Sequence, residues 1–285
     1  MWRNLPYGSE ETYLMGVEMH QIELLHQIKS VYELSTKVID AFLKVPRHLY
    51  LTRFSSDFIS WPEVTEKTLP IIYSDIPLLL YERQNFLSTQ PKPSLLMKLL
   101  NLLDLEEGMS VYEVGSGSGW TIAMISHLIG TTGKLKSYEI IPEIAQQAKI
   151  HLEKNHCLRC EVIQGDGLSL MNRSEEYDRG IFSTSSWDIP GIVFENIKVG
   201  GKLIFPLKTG RGDFILGLRR ETDHFHVFEI VQGGLDLMTG NGVRYFTNDL
   251  SEIFSMKGQI TVWPQGTIGL KGYTINGRDV IFQIE

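Results

Sequence analysis

The spacing of hydrophobic and polar positions in the first third of the chain predicts helices separated by an irregular region. Apolar residues recur every three or four positions over residues 17–45, which predicts helix, and Ser35 supplies a cap for a second helical segment there. Pro46 ends this pattern, because proline cannot continue a helix. Residues 47–90 follow no clear period and are predicted to be irregular. The next helix is predicted to begin near Pro93, whose fixed φ suits a first helical turn.

From residue 110 onward, short apolar runs alternate with helical stretches. The predicted strands span residues 110–114, 134–139, 161–164, 179–183 and 202–205, with helices at 120–129, 142–154 and 189–197. This alternation predicts right-handed crossovers and a mostly parallel sheet with helices on both faces. The remaining predicted strands, at 214–219, 227–231, 259–262 and 280–284, form a closing antiparallel pair and a small β-rich extension. The expected fold is therefore α/β, divided into an N-terminal helical segment with substrate-side loops (1–90), a core domain (91–238) and a C-terminal extension (239–285).

Composition and charge narrow the class of protein. The 285 residues are 42% hydrophobic and 21% charged, which is typical of a globular chain. With 27 Lys and Arg against 34 Asp and Glu, the net charge of −7 argues against nucleic-acid and membrane partners. We find neither an apolar run long enough to span a membrane nor a signal-like apolar segment at the amino terminus, so the expected location is the cytoplasm. The oligomeric state stays open.

A glycine-rich turn follows the first predicted core strand. Gly115, Gly117 and Gly119 occupy alternate positions between an apolar strand and a helical pattern. Glycine is needed where φ is positive or where the backbone must approach a ligand closely. The helix that follows presents free N–H groups, which suit a carboxylate or phosphate. This turn predicts a binding site for a nucleoside cofactor.

Two acidic residues follow at the ends of the next two predicted strands. Glu139 lies 24 residues after Gly115, about where a ribose-binding acid falls in a nucleotide-binding unit. Asp166, between two glycines, has the short carboxylate that could accept a bond from an adenine amino group. Because the turn reads Gly-x-Gly-x-Gly and not Gly-x-Gly-x-x-Gly, it favours one nucleoside with an amino-acid tail over a dinucleotide. That description matches S-adenosylmethionine, with S-adenosylhomocysteine as the product.

The predicted cofactor-binding residues share these three strand ends. They are Glu113, Gly115, Ser116, Gly117, Ser118, Gly119, Trp120, Glu139, Ile140, Asp166 and Gly167. For Trp120, stacking on the cofactor and packing in the core are the two alternatives. No metal-ligand pattern accompanies them, because the pair Cys157 and Cys160 lacks a second cysteine pair and the histidines are scattered.

Several stretches of the chain, in order, resemble the protein-L-isoaspartate O-methyltransferase family. The matching segments cover about residues 36–235 and are Lys44-Val45-Pro46-Arg47-His48-Leu49-Tyr50, Tyr73-Ser74-Asp75, Thr89-Gln90-Pro91, the 113–120 turn, Gly165-Asp166-Gly167, Tyr177-Asp178-Arg179 and Gly200-Gly201-Lys202-Leu203-Ile204-Phe205-Pro206. The Val-Pro-Arg-His and Thr-Gln-Pro segments are the most specific to the family. The resemblance implies a Rossmann-like methyltransferase core, S-adenosylmethionine as methyl donor, and a carboxyl O-methyltransferase acting on an Asp or isoAsp side chain of a protein or peptide.

The chain departs from the family pattern at its acceptor side. Thr89 stands where the family usually has serine near the acceptor carboxylate, so Thr89, with Ser88, is the predicted catalytic hydroxyl. Residues 183–187 replace smaller residues, and the chain continues well beyond residue 235. Residues 233–238 resemble a branch that methylates Asp in ribosomally made peptides. IsoAsp in damaged proteins and Asp in a precursor peptide thus remain alternative acceptors, beside an RNA methyltransferase and a non-catalytic cofactor-binding module.

Overall fold

The computed structural model describes residues 10–83, 86–157, 159–209, 212–235, 258–267, 270, 273–276 and 280–284. The α-helices are α1 (Glu10–Lys29), α2 (Thr36–Lys44), α3 (Leu69–Ile72), α4 (Pro93–Leu103), α5 (Trp120–Ile129), α6 (Pro142–Lys154), α7 (Gly167–Leu170) and α8 (Val193–Asn196), with short 3-10 helices at Arg47–Tyr50 and Glu66–Thr68. The strands are β1 (Leu78–Arg83), β2 (Phe86–Gln90), β3 (Ser110–Val114), β4 (Lys134–Glu139), β5 (Cys160–Gln164), β6 (Tyr177–Phe182), β7 (Ile197–Thr209), β8 (Gly212–Arg220), β9 (Phe225–Gln232), β10 (Ile260–Pro264), β11 (Tyr273–Asn276) and β12 (Val280–Ile284).

Ten of the described strands form one sheet, whose parallel part is the predicted α/β core. The strand order is β11-β12-β10-β9-β8-β7-β6-β3-β4-β5. Strands β3 to β7 pair in parallel. Strand β8 pairs antiparallel with β7 and with β9, and β8 and β9 are the closing antiparallel pair that the sequence predicts. The strand order reverses beside β3, the first core strand, and such a switch point opens a crevice at the carboxyl ends of the strands.

The carboxyl ends of β3, β4 and β5 lie side by side because their registers align. Val114 is paired with Tyr138, and Glu139 with Gln164. Backbone bonds then continue across the loops, since the Gly115 N–H donates to the Tyr138 carbonyl and the Gly165 N–H to the Glu139 carbonyl, both at 2.8 Å. The three predicted cofactor-binding segments therefore leave the sheet at one edge.

The amino-terminal region packs as helices on one face of this core, but residues 47–90 are not simply irregular. Helices α1 and α2 separate at residues 30–35, and Ser35 caps α2 as predicted, accepting a bond from the Val38 N–H. Within the supposedly irregular region, β1 and β2 form an antiparallel pair with a bulge between Leu79 and Tyr81. The bulge breaks the alternation by which a strand would be recognised in the sequence.

The last three strands extend the main sheet. β10 pairs with β9 and β12, and β11 pairs with β12. The predicted boundary between residues 238 and 239 lies outside the described residues, and the division into three segments stays a prediction. Of the helices that the structure describes, none combines the length and apolar character that crossing a membrane requires.

Candidate active site

An open cleft lies above the carboxyl ends of β3, β4 and β6, between the sheet edge and the β1–β2 hairpin. Its walls include most of the predicted site residues. The lining residues are Leu87, Ser88, Thr89, Pro91, Leu96, Leu99, Val114, Gly115, Ser116, Gly117, Ser118, Thr121, Tyr138, Glu139, Ile140, Ile141, Gly165, Asp166, Gly167, Ile181, Ser183, Thr184 and Leu235. The glycine turn, the acid after β4, the Asp-Gly pair after β5 and the two predicted catalytic hydroxyls thus face one space.

The three glycines of the turn are required for two different reasons. All have positive φ: +99° at Gly115, +51° at Gly117 and +87° at Gly119. A Cβ on Gly115 would lie 2.8 Å from a methyl carbon of Thr184, and one on Gly119 would lie 3.3 Å from Leu152 in α6. Around Gly117 the nearest atom would be 3.8 Å away. The outer glycines therefore allow close packing. At Gly117 a Cβ would only make ordinary contact with the Thr89 carbonyl, so the positive φ is what favours glycine there.

The Glu139 carboxylate binds the backbone of the glycine turn. Its Oε2 accepts the Gly117 N–H and its Oε1 accepts the Ile141 N–H, each at 3.0 Å. The side chain is nearly buried, and this burial raises the pKa of Glu139 despite those bonds. Each carboxylate oxygen has a further lone pair, so both can still accept bonds from a diol in the cleft.

Glu113, which was predicted to contact the cofactor, lies beneath the turn and not on the cleft wall. The hydroxyls of Ser137 and Ser183 donate to its carboxylate at 2.7 and 2.8 Å. Ser116 in turn donates to Ser137 at 2.7 Å. Burial raises the pKa of Glu113 to about 7. Glu113 thus holds two lining residues, Ser116 and Ser183, through hydrogen bonds, and its role is to position them.

Trp120 is also placed differently from the cofactor-stacking prediction. Its ring is almost completely buried in the core formed with the amino-terminal helices, and its indole N–H donates to the Val45 carbonyl at 3.0 Å. The Arg47 guanidinium lies 5.4 Å above the ring. Because Trp120 is the first residue of α5, the phase of that helix turns the ring away from the cleft. We therefore remove its side chain from the proposed cofactor contacts.

The predicted residues after β4 and β5 do face the cleft. Ile140 is an apolar lining residue beside Glu139, and Asp166 and Gly167 line the cleft after the neighbouring strand β5. The Asp166 side chain caps α7 by accepting the Leu168 N–H at 3.1 Å. A Cβ on Gly167 would come within 3.0 Å of Tyr138 Cβ, so this glycine keeps α7 close to β4.

Ser88 and Thr89 lie on β2 and line the cleft beside the glycine turn. Ser88 is buried and Thr89 half-buried, and successive side chains of a strand point to opposite faces. The next residue, Gln90, ties the hairpin to the turn, because its amide donates to Ser118 Oγ at 2.9 Å. Gln90 in turn accepts a 2.7 Å bond from Nε of the fully buried Arg47. The hairpin is therefore held at a set distance from the turn.

Arg47 is a buried residue that holds the loops beside the cleft, a role that the sequence alone did not show. Its guanidinium donates to the carbonyls of Ile72, Ser74, Ile76 and Pro91 at distances from 2.7 to 3.3 Å. Burial lowers the pKa of Arg47 to about 9, so it stays charged at neutral pH. One charged side chain thus organises the loop before β1 and the end of β2.

The carboxyl end of β6 contributes further lining residues. They could have been predicted from the sequence, because ligand sites of parallel sheets lie at the carboxyl ends of the strands. Ser183 and Thr184 follow β6, which is the neighbour of β3, and the Ser183 N–H donates to the Val114 carbonyl at 2.8 Å. Leu96 and Leu99 of α4 belong to the core and also line the cleft. No sequence signal placed Leu235 there.

The charge of the cleft is negative. Among the described residues that line it, Glu139 and Asp166 carry the only formal charges, and no Lys, Arg or His is present. A pyrophosphate would meet no cation there, whereas a cationic ligand would be attracted by both carboxylates. In the described part of the chain, no group of three or more His, Cys, Asp or Glu residues is arranged to hold a metal ion.

The parallel sheet, whose adjacent strand ends carry a glycine turn, a buried acid and an Asp-Gly pair, has the architecture of a Rossmann-like methyltransferase fold. A solved protein-L-isoaspartate O-methyltransferase aligns with 93% of this chain and 88% of its own, with a TM-score of 0.69 and 22% identity. A second structure, described as a beta-aspartate methyltransferase (PCMT) from Plasmodium falciparum in complex with S-adenosyl-L-homocysteine, covers 78% of this chain and 95% of its own, with a TM-score of 0.56 and 15% identity. Both confirm the predicted fold.

The family follows from the sequence comparisons. The model of the protein-L-isoaspartate(D-aspartate) O-methyltransferase family matches residues 19–234. Protein-L-isoaspartate O-methyltransferase from Methanothrix thermoacetophila is 32% identical over 182 residues, which are 64% of this chain and 79% of the relative. Protein-L-isoaspartate O-methyltransferase 2 from Archaeoglobus fulgidus is 32% identical over 193 residues, 68% of this chain and 80% of the relative. The chain therefore belongs to this family, which confirms the predicted family and the predicted class of enzyme, an S-adenosylmethionine-dependent O-methyltransferase.

Proposed function

We propose that the cleft binds S-adenosylmethionine between the glycine turn and the hairpin. The observation that carries this proposal is that the glycine turn, Glu139 and Asp166 line one cleft whose formal charges are both negative. The ligand brings a cationic sulfonium and an ammonium group, which suit this charge. In this arrangement Glu139 accepts bonds from the ribose hydroxyls, and Asp166 accepts one from the adenine amino group. The turn residues from Gly115 to Ser118 and the flanking Ile140 and Gly167 complete the contacts, whereas Gly119, also predicted as a contact, packs against α6.

The proposed acceptor is the side-chain carboxylate of an isoaspartyl residue in a protein or peptide. The curated relatives that match this chain are named for that acceptor. A carboxylate with a pKa near 4 is already ionised at neutral pH, so the reaction needs no general base. The cytoplasm stays the predicted location.

The residues of the chain act on the acceptor by orientation. S-adenosylmethionine, when bound, supplies a methyl group activated by its sulfonium. Ser88 and Thr89 offer hydroxyl donors on the hairpin side of the cleft, and we assign the main contact with the acceptor to Thr89. Neutral hydroxyls orient a carboxylate while leaving it more nucleophilic than an Arg or Lys partner would. Holding the reacting groups in line can supply a large share of the rate enhancement.

The test uses the purified full chain and three synthetic peptides that differ at one position. They carry isoAsp, Asp or Asn there, and formation of S-adenosylhomocysteine is measured with each. We expect turnover with the isoAsp peptide and none with the Asn peptide. Preferential turnover of the Asp peptide would overturn the isoaspartyl assignment and favour the peptide-tailoring branch. No turnover with any peptide, while S-adenosylhomocysteine still binds, would favour a non-catalytic module.

A further inference from the structure

The two cysteines of the chain meet at the opposite end of β5 from the cleft. Cys157 follows α6, with its N–H donating to the Leu152 carbonyl at 2.8 Å. Cys160 begins β5, where it is paired with Leu135 of β4. Their sulfur atoms lie 3.0 Å apart, and both thiols are free and half-buried.

We propose that Cys157 and Cys160 form a redox-active dithiol that closes reversibly to an intramolecular disulfide by exchange with a low-molecular-weight disulfide. A disulfide bond is about 2.05 Å long, so the sulfur atoms need to approach by only about 1 Å. Partial exposure gives a small reagent access to the pair. The inference does not depend on the proposed methyl transfer.

Cys157 is the attacking thiol. The Cys160 thiol contacts the Cys157 sulfur and also donates to the Cys157 carbonyl at 3.1 Å. Hydrogen bonds with the Cys160 thiol and the Ser126 hydroxyl lower the pKa of Cys157 to about 7. The pKa of Cys160 is raised, because it donates to Cys157 and is buried. A thiol with a pKa near ambient pH reacts fastest in exchange, because it combines a large thiolate fraction with good nucleophilicity.

The exchange balances in two steps. The Cys157 thiolate attacks one sulfur of the small disulfide, forms a mixed disulfide and releases one thiolate. Cys160 then loses its proton and attacks Cys157 Sγ, which forms the intramolecular bond and releases the second thiolate. The dithiol loses two electrons, the small disulfide gains them, and the two thiol protons end on the two small thiols.

Other uses of this pair fit the structure less well. A structural zinc site needs four ligands. In the described part of the chain, no third His, Cys, Asp or Glu joins the two sulfurs. Since the whole sequence contains only two cysteines, any disulfide within one chain must join this pair.

The experiment incubates the reduced full chain with graded mixtures of reduced and oxidised glutathione, followed by acid quenching, alkylation and intact mass measurement. We expect a species lacking two hydrogens, with neither cysteine alkylated and no bound glutathione. Its fraction should depend on the square of the reduced glutathione concentration divided by the oxidised concentration, as an intramolecular disulfide requires. Thiols that stay open to alkylation in every mixture, a stable glutathione adduct, or a disulfide-linked dimer would overturn the proposal.

Matched variants separate the roles of the two thiols. Cys160→Ser keeps a hydroxyl donor beside Cys157, and we expect it to stop as a chain carrying one glutathione. Cys157→Ser leaves Cys160, whose pKa burial still raises although its bond to the Cys157 sulfur is gone, and we expect it to form that adduct at least about tenfold more slowly at neutral pH. Equal rates for the two variants would contradict the assignment of Cys157 as the attacking thiol.

Discussion

Replacing Glu139 by glutamine tests the cofactor site at its best-defined contact. The carboxylate accepts two backbone N–H groups, from Gly117 and Ile141, and in our proposal also the ribose hydroxyls. Glu139→Gln preserves the shape of the side chain but turns one acceptor into an NH₂ donor. That donor must face either a backbone N–H or a ribose hydroxyl.

The magnitude follows from the number and type of bonds. A bond to a charged group contributes about 1.5–3 kcal/mol and a neutral bond about half of that, so two ribose bonds lose about 2 kcal/mol together. This corresponds to about 30-fold weaker binding. The free protein should lose less than about 2 kcal/mol of unfolding free energy, because one N–H loses its acceptor while the cost of burying a charge at Glu139 disappears.

The assay is calorimetric titration of S-adenosylhomocysteine, which avoids turnover, with urea unfolding of the free protein in parallel. Glu143→Gln is the matched control, since it makes the same chemical change at the start of α6. Glu143 is about half exposed and lies 3.5 Å from Arg83. Such a surface pair contributes little, so we expect the control to change affinity by less than about twofold.

Unchanged affinity in folded Glu139→Gln would refute the ribose contact. An equal loss in Glu139→Gln and Glu143→Gln would show that general charge, and not this contact, governs binding.

Three further predictions concern the hairpin, the turn and the buried acid. Thr89→Val should lower kcat/KM about tenfold through loss of one hydrogen bond while S-adenosylhomocysteine affinity stays within about twofold, and full activity would exclude Thr89 from catalysis. Gly115→Ala should cost about 2–4 kcal/mol of unfolding free energy through strain and the contact with Thr184, whereas Gly117→Ala should cost about 1 kcal/mol and mainly weaken cofactor binding. Urea unfolding and calorimetry measure the two effects, and the opposite order would contradict this reasoning. The pKa of Glu113 is raised to about 7 from 4.5, so between these pH values the folded state holds a proton that the unfolded chain releases. The free energy of unfolding should therefore fall by about 3 kcal/mol as the pH rises from 4.5 to about 7. Glu113→Gln should remove that fall between pH 5 and pH 8, and an unchanged pH dependence of urea unfolding would contradict the assignment.

The parallel core could be predicted from the sequence because its signals are local. The bounds of β3, β4, α5 and α6 agree with the prediction at every end. Gly119 and Gly130 mark the two ends of α5, and Pro142 stands in the first turn of α6. Such punctuation, together with alternating apolar runs, depends only on near neighbours in the chain.

The β1–β2 hairpin shows what local signals miss. A strand is stabilised by partners that are chosen in three dimensions, and the bulge beside Leu80 removed the alternation that would have revealed β1. Thr89 was therefore predicted as a catalytic residue only from the family resemblance, because the sequence did not predict the strand β2 on which it lies.

The sequence by itself determined which residues gather at the strand ends, since the order of strands and loops brings Gly117, Glu139 and Asp166 to one edge. Only the tertiary structure decided which side chains enter the cleft. Trp120 and Glu113 flank the same turn, yet one points into the amino-terminal core and the other lies beneath the turn. The direction of a side chain depends on which face of its helix or strand meets the rest of the protein, and packing between distant segments sets that face.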